Sequence, residues 1–318
     1  MLTLNPLYRL SLAAMLCSLS AFAHANEPAK PGTVFKDCKD CPEMVVLPTG
    51  SFMMGTPLDE VGREPDEGPL HKVTFSKPLA ISRFQITAAE FDAYIRDTGV
   101  TIADGDDRPG RACIASKPRY PQGPRQPAVC MDFDDVKHYV SWLSKKTGKP
   151  YRMVSEATRE YAARAGSSGP FPFPMDEGKE YSIAKHANTY GPTDGYSYTS
   201  PVGSYPANAF GVYDMHGNVY EWLEDCKHND YVGAPTDGSA WVTDSTCELR
   251  QIRGNDWGEA PVFSRSGNRN DIYPQTRGDW VGFRVQRALL RLHEAAQEFA
   301  ASPLDSDNPG VTPAKSPA

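Results

Sequence analysis

The sequence has no excess of basic residues. Its 318 residues include 33 Lys and Arg against 40 Asp and Glu, which gives a formal net charge of −7. No stretch gathers Lys and Arg into the patch or stripe that attracts a phosphate backbone. We therefore expect no nucleic-acid partner.

Long apolar runs are also missing beyond the N-terminus. The one early run, residues 10–23, follows Arg9 and ends at Ala23-His24-Ala25, which has the small-x-small form of a signal-peptidase site. The run is too short and too early for a membrane-spanning helix. We expect residues 1–25 to be a signal peptide cleaved after Ala25, and the mature chain to be periplasmic with no transmembrane segment.

Cleavage after Ala25 would remove Arg9 and Cys17, so the net charge becomes −8 and the cysteine count falls from seven to six. A lipid anchor on Cys17 is the weaker alternative, because large residues precede it where a lipobox has small ones. An even number of cysteines fits an oxidising compartment.

The six remaining cysteines predict disulfides rather than a metal or redox site. Cys38 and Cys41 form a Cys-x-x-Cys motif, but no second such motif exists for zinc and no strand-helix context suits a thioredoxin site. Their natural reading is a small structural disulfide. The pairs left over are Cys113 with Cys130 and Cys226 with Cys247, although sequence alone leaves the connectivity open.

Helix-start signals occur three times in the first half of the chain. Thr87 begins a capping box, Asp132 precedes an apolar-periodic stretch that ends at Gly148, and Ser155 precedes a third. We expect a linker over residues 26–40, a domain over 41–287, a C-terminal helix over 288–301 and a disordered tail over 302–318.

Two stretches carry a family resemblance. They are Gly211-Val-Tyr-Asp-Met-His-Gly-Asn-Val-Tyr-Glu-Trp222 and Arg253-Gly-Asn-Asp-Trp-Gly-Glu-Ala-Pro-Val-Phe-Ser-Arg265. Together they resemble the signature of the formylglycine-generating enzyme (sulfatase-modifying factor) family. The resemblance implies an α+β, loop-rich, C-type-lectin-like fold with little regular secondary structure. It also implies two copper-binding cysteines in the oxidase members, at the places where this chain has Glu259 and Ser264.

Glu259 and Ser264 cannot perform the copper-thiolate chemistry, because soft Cu(I) is held by thiolate and not by a hydroxyl. We therefore expect no copper site. The resemblance places the pocket around this segment, which makes Glu259 the candidate general base and makes four neighbours candidate substrate-binding residues: Trp257, Ser264, Arg265 and Arg269. The alternative for Glu259 is a solvated carboxylate or an ion-pair partner of Arg265 or Arg269.

Irregular, Gly-rich sequence after Gly166 needs partners for its backbone polar groups, and calcium is one physical answer because it takes several oxygen ligands. The resemblance implies two structural calcium sites. The first set is Asn188, Thr189, Asp194 and Tyr196, and the second is Asp214, Gly217, Val219 and Glu221. The alternative is turn chemistry, in which Asn and Asp bind their own backbone.

The secretion signal, the lost cysteines and the opening Cys41-Pro-Glu-Met44 resemble an exported branch of the family that matures the pyoverdine siderophore chromophore. This implies a periplasmic oxidoreductase that dehydrogenates a peptide-derived siderophore precursor. The sequence shows no flavin, nicotinamide or haem motif, so the electron acceptor is unknown and O2 is the candidate. The alternative function is a non-catalytic binding or assembly module on the same scaffold. The oligomeric state is not readable from the sequence.

We predict that the protein has no formylglycine-generating activity, because neither position supplies a thiolate. Incubation with copper and a cysteine-containing sulfatase peptide should leave the peptide unmodified, as judged by mass spectrometry. Stoichiometric Cu(I) binding together with aldehyde formation would contradict the prediction.

Overall fold

Three α-helices lie within the described residues, and each begins where the sequence predicts. They are α1 (Ala88–Thr98), α2 (Phe133–Thr147) and α3 (Glu156–Arg164). Thr87 and Asp132 form capping boxes, and the Ser155 hydroxyl accepts a hydrogen bond from the Thr158 N–H. The apolar stripes of α1 and α2 face the core, as their periodicity requires.

The structure, a computed structural model, describes residues 30–105, 113–175, 183–243 and 247–289. The predicted signal peptide, the disordered tail and nearly all of the predicted C-terminal helix lie outside these residues. These described residues belong to one compact unit. No helix in the described part of the chain has the length and apolar character to cross a bilayer.

Two main sheets organise the described domain. The strands of the five-stranded sheet are β1 (Val34–Phe35), β2 (Met44–Leu47), β5 (Leu79–Ser82), β8 (Tyr151–Met153) and β13 (Val285–Ala288). They lie in the order β1-β2-β5-β13-β8, with all pairings antiparallel. The strands of the four-stranded sheet are β9 (Tyr220–Cys226), β10 (Arg250–Arg253), β11 (Asn270–Ile272) and β12 (Val281–Phe283). They lie in the order β11-β10-β9-β12, and β12 runs parallel to β9.

Two short hairpins complete the regular structure of the described residues. One pairs β3 (Gly50–Met54) with β4 (His71–Phe75), and the other pairs β6 (Cys113–Ile114) with β7 (Lys117–Pro118). The largest apolar cluster packs α1 and α2 against both main sheets, with Trp222, Tyr139 and Phe283 fully buried in it. Short helices, several small sheets and long irregular connections confirm the predicted α+β, loop-rich fold.

The domain begins before the predicted boundary at Cys41. Within the predicted linker, strand β1 pairs with β2, and Cys38 is bonded to Cys41. At the other end, Ala288 is the last residue of β13 rather than the first of a helix. The described chain therefore enters and leaves the domain on strands of the same sheet.

The six cysteines of the described residues form three disulfides, and each joins cysteines that are neighbours in sequence order. The pairs are Cys38–Cys41, Cys113–Cys130 and Cys226–Cys247. Cys113 and Cys130 form a small apolar cluster with Val129 and Val219. The second pair therefore ties the hairpin of β6 and β7 to the domain.

Buried ion pairs connect α3 to the loops that follow the sheets. Glu156 accepts hydrogen bonds from Arg253 Nε at 2.9 Å and Arg269 Nε at 2.7 Å, and all three side chains are almost completely inaccessible. Burial alone would raise the pKa of Glu156, but the guanidinium groups of Arg269 and Arg253 outweigh it and lower the pKa to about 2. Glu156 is therefore ionised in the folded protein.

We predict that Glu156→Gln destabilises the domain by about 3 kcal/mol or more, because it leaves two buried guanidinium groups without their shared anion. The free energy of unfolding from denaturant titration measures the effect. Glu248→Gln is the matched control, since Glu248 is exposed. Equal stability of the two variants would contradict the structural role of the pairs.

Acid sensitivity provides a second readout for the same variant. Folding lowers the pKa of Glu156 from 4.5 to about 2. Its contribution to stability is therefore complete above about pH 4.5 and is lost as the pH falls toward 2. The wild-type protein should lose this contribution over that window, and Glu156→Gln should lack that part of the pH dependence.

Candidate functional site

The segment between β10 and β11 carries the candidate catalytic residue. It turns sharply at Gly254, where a Cβ atom would lie 2.3 Å from Arg159 Nη2, so only glycine fits. Asn255 follows with φ of +70°, and its amide donates to Ala260 O at 3.1 Å and to Ser264 Oγ at 2.8 Å. These bonds close the loop around Glu259, which precedes a short 3-10 helix at Pro261–Ser264.

The Glu259 carboxylate is half-buried and held by a tyrosine. Its Oε2 accepts a hydrogen bond from the Tyr220 hydroxyl at 2.8 Å, and that hydroxyl accepts one from Asn270 Nδ2 at 3.2 Å. Burial and the charge of Glu259 raise the pKa of Tyr220 far above its ordinary value, so the phenol stays protonated and donates. Glu259 forms no ion pair with Arg265 or Arg269, which are bonded to Glu67 and Glu156 respectively.

Glu259 borders a surface cleft of about 250 Å³. The lining residues are Glu64, Asp66, Lys227, Glu259, Phe263, Asn268, Arg269, Asn270 and Asp271. Lys227 Nζ bridges Asp66 at 2.9 Å and Asp271 at 2.6 Å, so its charge is already matched. The cleft thus carries more carboxylates than cations, and Phe263 lines it together with Glu259.

Of the predicted site residues, the cleft contains Glu259 and Arg269 but not Trp257, Ser264 or Arg265. The Trp257 indole N–H donates to Asp279 O at 3.3 Å, and its ring packs against Tyr198. Ser264 is fully buried and accepts from Asn255. Arg265 is fully engaged with Glu60 and Glu67. The contacts of these three residues support structural roles around the loop rather than contact with a substrate.

Sequence reasoning missed the residues that reach the cleft from other segments. Lys227 and Asn270 line the cleft from the end of β9 and from β11, and Glu64 and Asp66 line it from the segment before β4. Tyr220, the first residue of β9, reaches the Glu259 carboxylate. Tyr220 stands within the Gly211–Trp222 stretch, but no spacing rule joins it to Glu259, 39 residues later. The pairing of β9 with β10 brings the two together.

His216 lies beneath the same loop. Its Nδ1 is 2.7 Å from Ser264 O, and burial lowers its pKa to about 4. The neutral ring packs against Phe171 and Phe173 at about right angles. These contacts agree with the structural role that its sequence position suggests.

The first predicted calcium set contains a buried oxygen atom without a hydrogen-bond partner. Asn188 Nδ2 donates to Tyr198 O, which leaves Asn188 Oδ1 buried without a hydrogen-bond partner. The two carboxylate oxygens of Asp194 accept from the N–H groups of Thr189 and Tyr196, each at 2.9 Å. A buried oxygen without a donor, in a set that also contains a carboxylate, suits a hard cation such as calcium. The residues of the first set therefore fit the ion.

The second predicted set fits the ion poorly. Its carbonyl oxygens and the Glu221 carboxylate converge on the side-chain amide of Gln85. The Asp214 carboxylate points elsewhere and accepts from the Gly203 N–H at 2.7 Å. Gly217 is required in this turn, because a Cβ atom there would lie 2.2 Å from Asn188 O.

Comparison with known proteins identifies the scaffold. Residues 30–289 match the model of the sulfatase-modifying factor enzyme 1-like domain. The chain belongs to the sulfatase-modifying factor family. Within that family it is 30% identical over 230 residues to the formylglycine-generating enzyme of Mycobacterium tuberculosis, covering 57% of this chain and 73% of that protein. It is 28% identical over 287 residues to the inactive C-alpha-formylglycine-generating enzyme 2 of Bos taurus, covering 76% of this chain and 86% of that protein.

A solved structure resembles this family member much more strongly. The structure of PvdO from Pseudomonas aeruginosa is 76% identical in sequence, has a TM-score of 0.81, and covers 82% of this chain and all of that one. The variable protein 1 of Treponema denticola, at 18% identity and a TM-score of 0.61, shares the fold alone.

We predict that removing calcium lowers the melting temperature of the wild-type protein by roughly 5–10 °C, if the ion is present at about 100 times its Kd. Asp194→Asn should abolish this response, because the amide supplies only one oxygen and no charge. Asp230→Asn is the matched control, since Asp230 also accepts a backbone N–H but lies in an exposed turn. A chelator response of the same size in all three proteins would contradict the assignment to the first set.

Proposed function

We propose that the protein is a periplasmic oxidoreductase that dehydrogenates a peptide-derived siderophore chromophore precursor, with Glu259 as the general base. The observation that carries the proposal is the half-buried Glu259 carboxylate, which borders the cleft and is oriented by the Tyr220 hydroxyl. The strong likeness to PvdO supports the coarser part of the proposal, a role in siderophore maturation. The signal peptide over residues 1–25 remains part of this proposal, and the three disulfides are consistent with an oxidising compartment.

Dehydrogenation removes two electrons and two protons from the substrate. If dioxygen accepts both electrons and both protons, the second product is hydrogen peroxide. Glu259 accepts one of these protons at its other carboxylate oxygen, while Oε2 remains hydrogen-bonded to Tyr220, and then releases it to the reduced dioxygen, which regenerates the base. The phenol keeps the carboxylate in place, since its raised pKa prevents it from losing its own proton.

The cleft also limits what the substrate can be. Its carboxylates (Glu64, Asp66, Glu259 and Asp271) outnumber its cations, Lys227 and Arg269. The local field therefore disfavours an anionic group next to Glu259 and favours a neutral or cationic one. Phe263, which is partly exposed, offers an apolar face for a planar ring.

The donor atoms at the two cysteine positions do not support the copper chemistry of the oxidase relatives. Glu259 supplies a carboxylate, and the Ser264 hydroxyl is buried in a hydrogen bond with Asn255. Structural calcium belongs to the proposal at the first set, where Asn188 and Asp194 would hold the ion. It would stabilise the loop that precedes Tyr198 and would take no part in the reaction.

The second candidate is a non-catalytic binding module. A relative of 28% identity is named as inactive, so the scaffold persists in the family without the formylglycine activity. The Tyr220 hydrogen bond would then serve only to hold the loop. Loss of function on removing the Glu259 base separates the two candidates.

We predict that Glu259→Gln reduces turnover by about a hundred to ten thousand fold, the usual contribution of a general base, while the melting temperature stays near that of wild type. In a strain that depends on this gene, the reduced precursor should accumulate as it does in a deletion. Mass spectrometry of culture supernatants measures both species.

Glu64→Gln is the matched control, because it removes one carboxylate from the same cleft without touching the proposed base. This variant should mature the precursor at a rate within a few fold of wild type. If Glu259→Gln matures it as well as Glu64→Gln does, Glu259 is not the base and the binding module is the better explanation.

A further inference from the structure

Gln85 occupies the centre of the second predicted calcium set. It is fully buried, two residues before the α1 N-cap. Its amide nitrogen lies 3.3 Å from Asp214 O, 3.4 Å from Gly217 O, 3.2 Å from Val219 O and 3.1 Å from Glu221 Oε1. Every residue of the predicted set thus contributes one oxygen atom to the surroundings of a single nitrogen.

The orientation of the Gln85 amide follows from a backbone group that can only donate. The Ser200 N–H donates to Asn218 Oδ1 at 2.9 Å, which fixes that oxygen and turns Asn218 Nδ2 toward Gln85. Gln85 Oε1 must then accept, at 2.9 Å, so its nitrogen faces the four oxygens. The amide cannot be reversed without placing its own oxygen among four acceptors.

A calcium ion and this amide cannot share the position. Calcium binds oxygen at about 2.3–2.6 Å. An ion central to these four oxygens would coincide with Gln85 Nε2, which has all four within 3.1–3.4 Å. Its binding would require Gln85 to leave a buried site and break the hydrogen bond with Asn218.

The charge of Glu221, whose carboxylate is among the four oxygens around Gln85, is already matched. Glu221 Oε1 accepts from Arg284 Nε at 2.9 Å and Oε2 from Arg159 Nε at 3.1 Å, and all three side chains are buried. Arg284 Nη2 also donates to Asp214 O at 3.1 Å. The only other acid of the set, Asp214, accepts from the Gly203 N–H through Oδ2 and leaves Oδ1 buried without a hydrogen-bond partner. It contributes its backbone carbonyl, not its carboxylate, to the surroundings of Gln85.

We propose that the Gln85 amide, supported by Arg159 and Arg284, takes the place of the second calcium ion in this protein. The turn from Asp214 to Glu221 is then stabilised by hydrogen bonds of the chain itself and is insensitive to calcium. The first set is different, because the same chain of amides leaves Asn188 Oδ1 without a donor. At the second position the Gln85 amide nitrogen lies where the ion would sit, whereas at the first position the amide oxygen of Asn188 has no donor.

Calcium stoichiometry of the full mature protein tests this proposal. Chelator-treated wild type, Asp194→Asn, Gln85→Glu and the double variant are equilibrated with calcium chloride and analysed by equilibrium dialysis. Wild type should bind no more than one ion, and Asp194→Asn none. Gln85→Glu replaces the donor nitrogen with an anionic oxygen facing the four acceptors, so the double variant should bind one ion and gain a calcium-dependent melting temperature.

Gln122→Glu in the Asp194→Asn background is the matched control, because the Gln122 amide donates to a single carbonyl, that of Pro127, and should gain no ion. Two ions on wild type, or one ion on Asp194→Asn that Glu221→Gln removes, would overturn the proposal. So would a folded double variant that binds no calcium. No ion on wild type would refute calcium at the first set but would support the role of Gln85. If either variant fails to fold, the wild-type stoichiometry alone still tests the proposal. At most one bound ion supports it, and two bound ions contradict it.

Discussion

Buried arginine side chains hold the irregular half of this domain together. Loops between strands expose carbonyl groups to the interior, and each such group needs a donor. Arg284 donates to Ser82 O and Asp214 O, Arg159 to Met215 O, and Arg253 to Ser266 O. A buried guanidinium is tolerated only beside an anion, and Glu156, Glu160 and Glu221 supply that charge from α3 and β9. The loops are thus fixed by a network whose acids sit on regular elements.

This network also explains why Glu259 stands out. The acids of the network, Glu156, Glu160 and Glu221, are paired with guanidinium groups and are inaccessible to a substrate. Glu259 instead has a phenol as its partner and a cleft on its other side. A carboxylate between two arginines, such as Glu156, is held ionised by their charge and does not readily accept a proton, whereas the partner of Glu259 is a neutral donor. The same scaffold therefore separates the buried acids that support the fold from one that borders the cleft.

The sequence predicts the parts of this structure that depend on local interactions. Caps at Thr87, Asp132 and Ser155 fix three helix starts, since each bonds within its own first turn. The fold class was predicted from the family resemblance. The composition of the cleft could not be predicted from the sequence, because Tyr220 meets Glu259 only through the pairing of β9 with β10, and Glu64 comes from a segment almost 200 residues earlier. Arg265 was expected in the pocket, but nothing local shows that it is bonded to Glu67, which lies 198 residues away.

The contacts within the loop explain how it keeps its shape in this chain without the two cysteines that the resemblance places there in the oxidase members. Gly254 is required by its close approach to Arg159, and Asn255 holds Ser264 through a side-chain hydrogen bond that a hydroxyl accepts well. None of these interactions involves the side chain at position 259. The loop can therefore carry a carboxylate where the resemblance places a cysteine in the oxidase members, because the Asn255 hydrogen bonds and the close fit of Gly254 against Arg159 fix its backbone independently of that side chain. A carboxylate at this position needs a donor for its oxygen, and the Tyr220 hydroxyl is that donor.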